Sequence, residues 1–409
     1  MAEEETKTTL TKELPEGFKM TELGPLPNEW QVVPLGEVGR VITGRTPPTS
    51  NSEYWNGSIP FITPVDLRGS SIYTAQRTIT NEGLRNAKAL PRGAVLVSCI
   101  GYIGKIGVVD IEIAATNQQI NAIIPQKAEN WFLAFALMHE IKLLESRARM
   151  TTVPILHKTN FQRVLIPLPP LDEQRAISHV LRTVQRAKEA TEQVIAALKE
   201  FKKSLMRHLF TYGPVPIEQA DKVELKDTEI GPVPAHWEVK KLGDVAKVMY
   251  GKAKPTNMRG NIPVIGSGGI YSWTTEPLIN FATLIIGRKG TAGQVWLCEL
   301  PCWPSDTTFY LKWKSLEILD VRFIYGWFLF NPLSGEHAKT TIPSLQRPDL
   351  ENYPIPFPSL DEQKKIAEIL ISLDNKIKAE ENKKSALETL FKTLLHNLMT
   401  GKIRVSNVE

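Results

Sequence analysis

Apolar residues return every three or four positions along two stretches, one from about Asp172 to Thr211 and one from about Asp361 to Thr400. In the first, Ile177, Val180, Val184, Ala187, Thr191, Val194, Leu198, Phe201, Leu205 and His208 alternate steps of three and four. That spacing is a heptad seam, and Leu181, Ile195 and Leu209 widen it. The second stretch opens with Ile366, Ile369 and Leu373 and closes with Leu387, Leu390 and Leu394. Its centre is polar, with Lys376, Glu380 and Lys383 at seam positions and Ile377 in compensation. Each stretch predicts a helix of roughly 40 residues and about 60 Å, and the two together predict an antiparallel helix pair. A proline-rich approach sets each entry, where Asp172 and Asp361 are placed to accept the first free backbone N–H groups.

The two stretches are copies. Ile166-Pro-Leu-Pro-Pro-Leu-Asp-Glu-Gln-Arg-Ala-Ile177 returns as Ile355-Pro-Phe-Pro-Ser-Leu-Asp-Glu-Gln-Lys-Lys-Ile366, with Asp361 lying 189 residues after Asp172. The same offset carries Thr152-Val153-Pro154 onto Thr341-Ile342-Pro343. Upstream, Gly24-Pro25-Leu26-Pro27 with Trp30 and Leu35 matches Gly231-Pro232-Val233-Pro234 with Trp237 and Leu242. Runs Val38–Ile42 and Val245–Tyr250 read as strand or short helix, ending in the basic loops at Gly44 and Gly251. Ser58–Ile62 matches Asn261–Ile265 as a buried strand, and Gly93–Ser98 matches Phe281–Ile286. The latter strands enter glycine-spaced turns, Gly101–Gly107 and Gly287–Gly293. Aromatic helices from Trp131 to about Met150 and from Val321 to about Asn331 close each globular part.

The plan is therefore α+β with a pseudo-two-fold internal repeat. Residues 1–165 form a first globular domain, behind a polar lead-in over 1–22, and 166–212 a long helix with its entry. A linker and second globular domain take 213–354, and 355–409 the second long helix.

A chain of 409 residues has ample length for more than one core. Cys99, Cys298 and Cys302 are too few and too scattered for a disulfide framework, and they read as packing residues rather than metal ligands. The start at Met1 lacks a secretory apolar region, and no apolar run reaches membrane-spanning length, so a cytoplasmic protein is expected. A net charge of +5 permits a nucleic-acid partner without requiring one.

Catalytic patterns are missing. Gly104-Lys105 is followed by Ile106 rather than a serine or threonine, which argues against a phosphate loop. There is no His-Glu-x-x-His, Gly-x-Ser-x-Gly or Cys-x-x-Cys, nor the glycine-rich loop and Asn-Pro-Pro-aromatic turn of an amino-methyltransferase. No catalytic residue and no metal site are assigned.

The duplicated Leu-Asp-Glu-Gln signature, together with Gly-Pro-x-Pro-x-x-Trp, resembles the specificity subunits of Type I restriction-modification enzymes over essentially the whole chain. The resemblance implies two target-recognition domains separated by two long antiparallel helices, a coiled-coil-like spacer. Each domain would read one half of a split double-stranded DNA site. It also implies two modification (methyltransferase) subunits as partners, which hold S-adenosylmethionine, and restriction (motor/nuclease) subunits; no cofactor is expected in this chain.

Cations grip phosphates, while amides, hydroxyls and arginine read base edges. The candidate contacts are Arg45, Thr46, Lys105, Asn117, Gln118 and Gln119 in the first half. In the second they are Lys252, Lys254, Arg288, Lys289, Asp306 and Thr308. The halves differ at these places, so an asymmetric target is expected. A helix pair acting as a ruler gains about two base pairs of unread spacer for four residues added to each helix. Two other classes stay open: a coiled-coil adaptor that never touches DNA, and a self-sufficient DNA-modifying enzyme.

Overall fold

A computed structural model describes residues 14–148, 152–254, 260–333 and 344–406. Thr341-Ile342-Pro343 and Met150 lie outside the described residues. The chain divides into two compact units, one of residues 1–191 with 383–409 and the other of residues 192–382.

In the first unit, a five-stranded sheet runs in the order Gly39–Thr43, Ile120–Pro125, Val95–Ser98, Ile106–Val109, Ser71–Ile72. A four-stranded sheet is ordered Arg77–Ile79, Trp55–Ile62, Ile113–Thr116, Ala89–Pro91. The apolar helix Asn130–His139 packs on the larger sheet, burying Phe132, Phe135 and Leu137. The sequence reading had one helix reaching about Met150. The structure breaks it at Glu140, and Ile141–Ser146 forms a separate helix.

The second unit repeats the scheme with fewer strands. Ala246–Tyr250, Thr308–Trp313, Thr283–Gly287 and Val295–Cys298 form one sheet, and Gly269–Thr274, Ile262–Gly266 and Trp303–Pro304 the other. Its aromatic helix is Val321–Phe330, whose first turn is capped by Asp320.

The polar lead-in and the end of the linker hold more order than their composition suggests. Phe18–Thr21 pairs with Gly24–Pro27, and Leu225–Thr228 with Gly231–Pro234. Thr21 and Thr228 close these hairpins identically, each donating to the carbonyl of the turn glycine at 2.7 Å. Each Gly-Pro-x-Pro segment is thus the second strand of a hairpin that delivers its tryptophan to the core.

The long helices run Leu171–Tyr212 and Leu360–Met399. Asp172 and Asp361 are exposed and sit inside the first turn instead of capping it. At the second helix Ser359 does the capping: its Oγ accepts from Glu362 N at 3.4 Å, and Glu362 accepts from Ser359 N at 3.2 Å.

The signature residues after the aspartate are structural. Trp30, fully buried, donates Nε1–H to Glu173 Oε2 at 2.9 Å, and Arg404 grips the same carboxylate at 2.6 and 3.0 Å. In the second unit Trp237, also fully buried, donates to Glu362 at 3.1 Å, joined by His236 at 2.9 Å. The next residue ties the long helix to the aromatic one. Gln174 accepts from Glu129 N at 2.9 Å and donates to Pro169 O at 2.8 Å. Gln363 accepts from Asp320 N at 2.9 Å and donates to Ile318 O and Pro358 O. One Glu-Gln pair therefore locks hairpin, long helix and aromatic helix together in each unit.

The buried line along the long helices corrects the seam expected from sequence. In the first helix it runs Gln174, Ile177, Leu181, Val184, Lys188, Thr191, Ile195, Leu198, Lys202, Leu205, Leu209, all buried or half-buried. In the second it runs Gln363, Ile366, Leu370, Leu373, Ile377, Glu380, Lys384, Leu387, Phe391, Leu394, Leu398, the same positions displaced by 189. Half of the expected seam lies on this line. The other half is one residue out of phase, so Val194, Phe201, Ile369 and Leu390 are exposed and Val180 is half-buried. Hydropathy alone favours that wrong phase, because the true line carries polar groups with partners inside the fold. Gln185 beside it donates to Gly69 O, and Lys202 binds Asp374 at 2.5 Å. In the second unit Lys202 with Asp374 and Lys199 with Glu381 pair rising numbers with falling ones, so the helix segments there are antiparallel. In the first unit Ile177 and Leu181 share a core with Leu398 and Met399.

Candidate nucleic-acid interface

Four loops of the first unit converge at one end of its sheets. Gly44 N bonds Ile120 O, and Arg45 N bonds Thr116 O. Cys99 N bonds Gln119 O, and Gly101 N bonds Pro154 O. The second unit assembles the corresponding loops: Gly251 N bonds Thr308 O, Arg288 and Lys289 N bond Thr307 O, and Leu345 N bonds Arg288 O. Gly44 and Gly251 permit the close approach in each unit. A Cβ on Gly44 would stand 2.1 Å from Asn117 O, and one on Gly251 would stand 2.0 Å from Ser305 O.

The candidate contacts of the first unit fall in this cluster. Arg45 and Gln118 are exposed, with Thr46 Oγ1 donating to Gln118 Oε1 at 2.6 Å. Asn117 and Gln119 are half-buried and bonded to one another at 2.9 Å, with Asn117 Oδ1 accepting from Gln119 N at 3.1 Å. These two shape the turn from which Gln118 projects. Lys105 stands over the Tyr102 ring, 5.5 Å from its centre.

In the second unit Lys252, Lys254, Lys289 and Asp306 are exposed. Arg288 is half-buried, lies 5.2 Å from the Tyr250 ring, and leaves its Nε without a partner. Thr308 departs from expectation. It is fully buried, its hydroxyl donates to Ser305 O at 2.8 Å, and it faces the interior.

Sequence reasoning passed over the aromatics of both clusters. Tyr102 is 79% exposed at the tip of its glycine-spaced turn. Ile270, Tyr271 and Trp273 are exposed on the strand Gly269–Thr274, with Lys254 5.7 Å from the Tyr271 ring. Burial raises the Tyr271 hydroxyl above its ordinary range, with Asp306 pushing the same way and a bond with Ser305 opposing. A readable signal existed for Tyr102, since a large side chain between Gly101 and Gly104, both at positive φ, has no core to enter.

Nothing in the geometry resembles a phosphate loop. The amides of Gly104 and Lys105 are spent on Ser98, as is that of Gly101 on Pro154. Among the described residues no three His, Cys, Asp or Glu side chains gather as metal ligands. The three cysteines are free and buried, and burial pushes the Cys99 thiol up to about 12. Among the described residues no helix is long and apolar enough to cross a membrane.

Comparison with known proteins decides what this duplicated architecture is. The family described as Type I restriction modification DNA specificity domain matches residues 27–200 and again residues 234–389. This chain belongs to that family. Among specificity-subunit relatives, the MjaVIII subunit of Methanocaldococcus jannaschii is 28% identical, with 96% of this chain and 97% of the relative covered. The EcoDI subunit of Escherichia coli is 21% identical over 93% and 90%. The fold matches the S subunit of a Type I restriction-modification system from M. genitalium, with a TM-score of 0.67, 17% identity and coverage of 90% and 96%. A second structure, from a description of complex assembly in the type I R-M system, matches with a TM-score of 0.53, 19% identity and coverage of 92% and 99%. As a specificity-domain protein with two family matches, the chain carries one loop cluster per repeat.

Proposed function

We propose that each unit reads one half of a split, asymmetric duplex site through its loop cluster, and that the long helices set the unread spacer. The reading rests on one observation: equivalent loops meet at the equivalent place in both units, yet present different side chains there. Gln118 projects from the first turn and Asp306 from the second, with Tyr102 and Lys105 on one neighbouring loop and Arg288 and Lys289 on the other. Arg45, Lys105, Lys252, Lys254 and Lys289 hold phosphates in this reading, while Gln118, Arg288 and Asp306 meet base edges. The subunit is not itself catalytic. Methyltransferase subunits carrying S-adenosylmethionine dock on it, restriction subunits join them, and the complex works in the cytoplasm.

Mapping methylated sites produced by the assembled complex tests this. Gln118→Ala relaxes one half of the recognised sequence by about 1–3 kcal/mol per lost base contact and leaves the other half intact, and Arg288→Ala does the converse. Either substitution altering both halves, or a palindromic consensus for the unaltered protein, overturns it. The buried line dictates how to test the spacer. One heptad added to each helix preserves the inward face and lengthens the unread gap by about three base pairs. An unchanged gap in the methylation pattern would reject a ruler.

A further inference from the structure

The first unit holds a basic cavity of about 400 Å³. Arg92, Asp110, Asn130, Trp131, Arg182 and Arg186 line it. It lies at the opposite end of the hairpin Val95–Ser98 and Ile106–Val109 from the turn bearing Tyr102 and Lys105. Arg92 and Asp110 neutralise each other through bonds of 2.9 and 2.6 Å. The other two arginines have no such partner: among the described residues neither Arg182 nor Arg186 has an ion pair. Arg182 is half-buried, its guanidinium carbon 4.6 Å from the centre of the Trp131 ring, a cation–π contact that holds it at the cavity. Neither guanidinium group has a direct ion pair; Asp110 and Glu129 offset Arg182 in part, yet three arginines against these two carboxylates leave a net positive charge that favours an anion.

The repeat makes the site informative, because the second unit does not carry its two helix arginines. At the matching helix positions stand Ile371 and Asn375, and Arg322 at the start of the second aromatic helix is closed in an ion pair with Glu299 at 2.5 Å. A feature needed for reading DNA would be expected at both ends of a duplicated reader, close to its loops. This one is present once and far from them.

We propose that the cavity receives an aspartate or glutamate side chain from an acidic segment of a protein partner, and that this contact exists on the first repeat only. The proposal rests on the docking of methyltransferase subunits suggested above, and it makes the two repeats distinguishable to that partner.

The test measures binding of the methyltransferase subunit to the full chain by titration calorimetry over a range of salt. Arg186→Glu, at an exposed position, weakens assembly by about tenfold or more near physiological salt and flattens its salt dependence. Arg182→Glu with Arg186→Glu weakens it further, and Arg175→Glu, exposed on the same helix outside the cavity, changes it by less than about threefold. Restoration of Arg186→Glu binding by an acid-to-arginine change in the partner fixes the contact. Equal effects of Arg175→Glu and Arg186→Glu, or unchanged assembly in Arg186→Glu, overturn the proposal. So does normal assembly with weakened duplex binding, which would assign the cavity to a DNA phosphate. If the unaltered chain failed to assemble at all, the proposed function would fall first.

Discussion

Leu181→Ala destabilises the first unit by about 2–5 kcal/mol, and Val180→Ala, its immediate neighbour, by less than about 1 kcal/mol. Leu181 is fully buried among Ile177, Leu398 and Met399, whereas Val180 only borders that core. The second unit offers the sharper contrast. Leu209 is 2% exposed and Phe201 is 52% exposed, so Leu209→Ala is costly and Phe201→Ala nearly silent, although phenylalanine is the larger side chain. Urea unfolding of the four variants reads the difference directly. Similar losses at Val180 and Leu181, or a larger loss at Phe201 than at Leu209, would place the inward face where hydropathy alone puts it.

Trp237→Ala removes the largest buried contact of the second hairpin and lowers stability by about 3–5 kcal/mol. Trp237→Phe keeps most of the ring but deletes the donor to Glu362, at about 1–3 kcal/mol. The Glu362 carboxyl is pushed up by burial, but bonds from His236, Trp237 and Ser359 outweigh this and hold it below the ordinary carboxylate range. A folded-state value below the unfolded one contributes stability above the unfolded pKa and loses it as the pH falls. Acidification below about pH 4.5 therefore weakens the unaltered unit, and the Trp237→Phe protein shows a shallower decline. Thermal midpoints across pH 3–6 check both; identical slopes would remove Glu362 from the account.

The repeat was legible because duplication multiplies weak signals. A lone Trp after Gly-Pro-x-Pro says little, but two, each followed at the same spacing by a leucine (Leu35, Leu242) and later by a Leu-Asp-Glu-Gln helix, define the architecture. What the motifs do was hidden, since Trp30 with Glu173 and Gln174 with Glu129 are partners across long stretches of chain. The phase of the seam was missed for a related reason. Gln174 and Lys202 look like surface residues until their partners are placed, and Phe201 looks like core until its neighbours are. Loop positions were legible from glycine spacing, as at Gly44 and Gly251. Side-chain direction was not, and Thr308 turned inward while Tyr102 turned out.

The partition of the chain also orders its synthesis. The second unit, residues 192–382, is one continuous segment and has every strand and helix of its core once Asn382 has been added. The first begins earlier yet includes the segment from Lys383 onward, whose Leu398 and Met399 fill its core and whose Arg404 closes on Glu173. The half whose sequence begins first is thus the half whose core is completed last along the chain. A released chain truncated after Asn382 is expected to keep a complete second unit and leave the first without Leu398, Met399 and Arg404, so that limited proteolysis cuts it selectively before Thr191.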